Sequence, residues 1–87
     1  MSSISVALRS YIEKRFLTDR PVHFSNDDSL ITLSVVDVFG LLDLIAFIES
    51  QYFINFDDGE LLPHNLDTVN KLTAAIEKRL MVSPLET

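Results

Sequence analysis

Residues 18 to 36 form a long break between two stretches of helical periodicity, and that break limits the folds open to this chain more than any other feature. Before it, Ile4, Leu8, Tyr11, Ile12 and Phe16 recur at three- and four-residue steps and predict a helix from Ser3 to Leu17. Pro21 stops the continuation, because proline has no amide hydrogen to donate and its ring clashes with the preceding turn. After the break, Asp37 suits the cap of a second helix running to Gln51, with Leu41, Leu42, Ile45 and Ile48 on its apolar face. Connections of this length are uncommon in a compact domain, and they serve either function or a fold whose flanking helices run nearly parallel. Val22, Phe24, Leu30, Ile31 and Leu33 supply apolar anchors along the break, so it is expected to be an ordered loop.

Beyond the second helix, "YFINFDDG" is expected to hold a short extended piece and "LLPHNL" a short helical turn. A last helix should begin near Asp67 or Thr68, with Val69, Leu72, Ile76 and Leu80 at helical spacing. At 87 residues the chain suits one domain, expected over residues 1 to 82 with a disordered tail at 83 to 87. Gly40, inside the second helix, costs about 1 kcal/mol relative to alanine, which fits either a close approach by another group or a tolerated surface glycine. Cysteine is absent, which excludes disulfides, thiolate metal sites and thiol nucleophiles, and leaves the fold to stand on packing.

The net charge of -6 is unevenly placed. From Pro21 to Asn70 there is no lysine or arginine, while nine acids fall in the same stretch; the cations sit before and after it. Such a field repels phosphate backbones and steers toward basic proteins, so no nucleic acid partner is expected. The longest apolar run, around residues 38 to 48, is broken by Asp43, and the N-terminal residues carry charge too early for a signal peptide. No membrane span and a cytoplasmic location are the expectations. "FDDGE" falls short of a calcium loop because Ile54 and Phe56 stand where alternate acids are needed, and no metal is expected. His23 and His64 lie in loops without a serine or cysteine pattern that would make a triad readable, so they are read as capping or surface residues and no catalytic residue is assigned.

The succession of "DDSL" in the long loop, Asp37 followed at one remove by Phe39, the helix "LLDLIAFIE", the "INF" segment and "NLDTVNKL" resembles the acyl carrier proteins and the related peptidyl carrier domains. The likeness spans residues 27 to 80. It implies an all-α, four-helix bundle with a long loop between helices 1 and 2 and a short third helix. In that family an Asp-Ser-Leu motif holds 4'-phosphopantetheine on its serine, at a helix N-terminus where free amides and the helix dipole suit a phosphate. Here the triplet is Asp37-Val38-Phe39, and Ser34 stands where the family's Gly-x-x-Asp-Ser pattern has glycine. Val38 has no nucleophilic atom, so no cofactor is expected on this chain, whereas a serine there would imply the phosphopantetheine arm.

The resemblance thus implies a carrier-family member that is not an enzyme and acts in a biosynthetic pathway by docking to partners. It is either a natural pseudo-carrier or a chain with an engineered serine-to-valine block. The implied partners are basic surfaces of acyl or aminoacyl loading and transfer enzymes, and a monomer is expected. Docking candidates are Asp37, Phe39, Asp43, Glu49, Asp57, Asp58 and Glu60. Val38, Leu41, Leu42, Ile45 and Ile48 would line an acyl pocket on the family reading, or form a plain core face on burial alone. The alternatives are a non-carrying adaptor or regulatory protein that binds basic partners through acidic helix 2, and an unrelated acidic helical interaction domain.

Overall fold

The computed structural model describes residues 3–19 and 21–81. The first periodic stretch becomes α1 (Ser3–Phe16), which buries Leu8 and Ile12 and carries Lys14 and Arg15 in its last turn, where cations suit the helix dipole. The second becomes α2 (Val38–Tyr52), and the third α3 (Val69–Met81). Among the described residues there is no strand, so the fold is all-α. The segment expected to be extended, 54–57, is irregular chain. The short helical turn expected at "LLPHNL" is a single 3-10 turn, Pro63–Asn65, preceded by another at Asp58–Glu60. The expected tail at 83–87 lies outside the described residues.

α1 packs on α3, and one core joins Leu8 and Ile12 to Leu41, Leu44, Ile45 and Ile48 of α2 and Val69, Leu72 and Ile76 of α3. Each such buried aliphatic side chain stabilises the fold by roughly 1.5–3 kcal/mol relative to exposure. The long loop contributes Phe24, Leu30, Val35 and Val36 to the same core, which is why it is ordered. Three of the expected core positions turn outward instead. Leu33 is 37% exposed, Leu42 50% and Leu80 48%; around Leu42 the apolar run is wider than the face its neighbours cover.

The loop is shaped by one helical turn around Leu30 that ends at Ser34. Val35 N–H donates to the Leu30 carbonyl at 2.9 Å, and Ser34 N–H to the Ile31 carbonyl at 2.9 Å. This six-to-one and five-to-two pair is the Schellman termination, which needs a left-handed residue at its hinge. Ser34 takes that role with φ 58°. The Leu30 N–H donates in turn to the Asp67 carbonyl at 2.7 Å, fastening the loop to the start of α3.

Candidate functional site

The Schellman turn at Ser34 redirects the chain so that Val35 and Val36 enter the core and Asp37 begins α2. Asp37 is extended (φ −95°, ψ −174°), and its Oδ1 accepts from the Gly40 N–H at 2.7 Å. Such a cap stabilises by about 1 kcal/mol. The two residues after it face solvent: Val38 is 48% and Phe39 80% exposed. Beside them lies a shallow hollow lined by Ile31, Ser34, Val36, Asp37 and Val38. The glycine at 40 answers to a close approach, since a Cβ there would sit 3.2 Å from the Phe16 ring edge and 3.2 Å from the Val36 Cβ.

The acids assigned to docking fall into two groups. Asp43 pairs with Arg15 at 3.0 Å and accepts weakly from the Tyr11 hydroxyl at 3.4 Å. Burial, and next the Asp43 charge, push the Tyr11 hydroxyl pKa up. Asp57 pairs with Arg79 at 3.0 Å, and Glu60 both pairs with Arg79 and accepts from the Asp57 N–H. Those three carboxylates are thus met by cations of this same chain. Asp37, Glu49 and Asp58 form the second group. Asp37 caps α2 and Glu49 accepts from the Phe56 N–H at 2.9 Å, and among the described residues no ion pair engages these two or Asp58.

The positions proposed for an acyl pocket divide as well. Leu41, Ile45 and Ile48 are core, whereas Val38 and Leu42 look outward. Phe39 is nearly free, and Phe47 stacks on Tyr11 with ring centroids 3.8 Å apart on the α1 side.

Sequence reasoning missed that the outer face of α2 is apolar. Phe39, Leu42 and Ala46 are exposed along it, and Phe53, the residue that closes the helix, is 94% exposed with φ 56°. "VFGLLDLIAFI" is apolar nearly all round, so its periodicity does not say which face is covered. Among the described residues no group of three or more His, Asp or Glu side chains is placed to hold a metal ion, and no helix is long and apolar enough to cross a membrane.

Compared with known proteins, the chain matches no family model, no curated protein and no solved structure.

Proposed function

We propose that this protein is a relative of the acyl and peptidyl carrier proteins that docks to biosynthetic enzymes in the cytoplasm without carrying a covalent arm. The observation that carries the reading is the hinge before α2. A left-handed residue stands at Ser34, three positions before the Asp37 cap, where the family pattern has glycine, and Val38 follows as the exposed first residue of the helix. Glycine in the family pattern has a physical reason at such a hinge, because only glycine enters the left-handed region without cost. The 3-10 turns at 58–60 and 63–65 occupy the interval of the family's short third helix, and on this reading the bundle is four-membered. Phe39 would seat in an apolar recess of the partner, with basic groups of that enzyme meeting Asp37, Glu49 and Asp58.

The reading is tested at position 38. Incubated with a promiscuous phosphopantetheinyl transferase and coenzyme A, the unaltered chain should keep its intact mass, and Val38→Ser should gain one arm. Failure of the folded Val38→Ser variant to accept the arm, beside a carrier that does, would defeat the carrier reading. An adaptor that holds an enzyme without presenting substrate is the second reading. It is favoured by the valine itself and by the exposure of Phe39, which serves binding with or without an arm.

A further inference from the structure

The outward face of α2 reads nearly the same in both directions. Phe39 and Phe53 lie seven residues either side of Ala46, and Leu42 and Ser50 lie four either side. At 100° per residue, positions 39, 42, 46 and 50 fall on one stripe centred on Ala46, opposite the buried Leu41, Leu44 and Ile48, and the exposed Phe53 follows the last helical residue at the stripe's C-terminal end. None of the five is charged. Of the acids nearest the stripe on α2, Asp43 is paired with Arg15, whereas Glu49 accepts from the Phe56 amide and has no ion pair among the described residues.

We propose that a second copy of this chain covers the stripe, the two α2 helices packing antiparallel about a two-fold axis at Ala46. A two-fold interface requires a self-complementary patch. Here Phe39 of each copy would meet Phe53 of the other, about 10 Å from the axis, and the small Ala46 lets the helices approach at the centre. Two phenylalanines of about 150–200 Å² each, with Leu42 and Ala46, supply about 450–500 Å² per copy. That makes up to about 1,000 Å² in total, below the roughly 1,200–2,000 Å² of stable interfaces and within the weak, transient class. The pair is therefore weak, and the protein is a monomer when dilute. The exposed aromatic at Phe53, held in the left-handed region, carries a cost that such a contact offsets.

The inference goes beyond the carrier reading and does not need it, although both draw on Phe39. Salt separates the two. Docking to a basic enzyme weakens as salt rises, whereas two copies of net charge -6 repel, so their pairing strengthens. Sedimentation equilibrium from about 0.01 to 1 mM protein should show a monomer–dimer equilibrium with a Kd of about 10–500 μM, tighter at about 0.5 M than at about 0.05 M salt. Phe39→Ala and Phe53→Ala should each weaken it about tenfold or more. Ala46→Glu should abolish it with an unchanged circular dichroism spectrum, since Ala46 is exposed in the monomer. Because the chain has no cysteine, Ala46→Cys supplies a sole thiol, and oxidised glutathione should cross-link it into dimers far faster than Ala74→Cys on the exposed side of α3. A monomer throughout that range at high salt, a dimer that survives Ala46→Glu, or equal cross-linking at positions 46 and 74 would overturn the proposal.

Discussion

Among the described residues, two other than glycine occupy the left-handed region, and they mark the two ends of the segment on which the functional reading rests. At Ser34 the backbone requirement is set by the Schellman bonds from Val35 and Ser34 to Leu30 and Ile31, not by the side chain. For an L-residue that conformation costs roughly 1–2 kcal/mol, part of which returns when the Cβ is removed. Ser34→Gly should therefore raise stability by about 0.5–1 kcal/mol after the greater entropy of glycine in the unfolded chain and the loss of the serine's own interaction are counted. Urea denaturation checks it, and a lower midpoint would show that the serine side chain contributes more than the backbone strain costs. Gly40 is the reverse case: its lack of a Cβ admits Phe16 and Val36, so the alternative of a merely tolerated surface glycine gives way to close packing.

At the scale of elements, the start of α3 is the point at which the loop is held. Thr68 Oγ1 accepts from the Lys71 N–H at 2.9 Å, and Asp67 takes the Ser29 hydroxyl at 2.8 Å and the Lys71 ammonium at 3.1 Å. Burial pushes the Asp67 carboxyl upward, but the bonds from Ser29 and Lys71 and the Lys71 charge outweigh it, and its pKa lies below the ordinary value. A group depressed in the folded state contributes stability that is fully present above its unfolded pKa of about 3.9 and is lost as pH falls through the folded value. Asp67→Asn should lower stability at neutral pH by about 1–2 kcal/mol. Below about pH 4 the gap between variant and parent should narrow. Thermal melts from about pH 7 to pH 2.5 read this directly, and a gap constant across the range would remove Asp67 from the acid response. Helix existence and the cap at Asp37 were legible in the sequence, because periodicity and capping are local. The loop's attachment was not, since Leu30 and Asp67 meet across a separation that no local pattern encodes.

Across the whole molecule, the fifty-residue stretch without a cation does not become a surface of one sign. Arg15 folds onto Asp43, Lys71 onto Asp67, and Arg79 onto Asp57 and Glu60, so the two ends of the chain partly neutralise its middle. Arg79 ties the segment after α2 to the last helix. Asp57 is 80% exposed and contributes little, whereas Glu60 and Arg79 are each about three-quarters covered and carry most of the attachment. Arg79→Met should cost about 1 kcal/mol. It should also speed hydrogen exchange of the Glu60 and Leu61 amides ahead of those in α2, and unchanged exchange there would show that packing alone holds the segment. The sequence by itself determined the three helices, the ordered loop and the absence of a reactive atom at Val38, because spacing, capping and side-chain chemistry are properties of neighbouring residues. It did not decide which acids remain free or which side of "VFGLLDLIAFI" faces out. Those follow from what α1, α3 and the loop cover: burial and ion pairing depend on groups brought together in space, and in a helix apolar nearly all round only its neighbours select the face left to solvent.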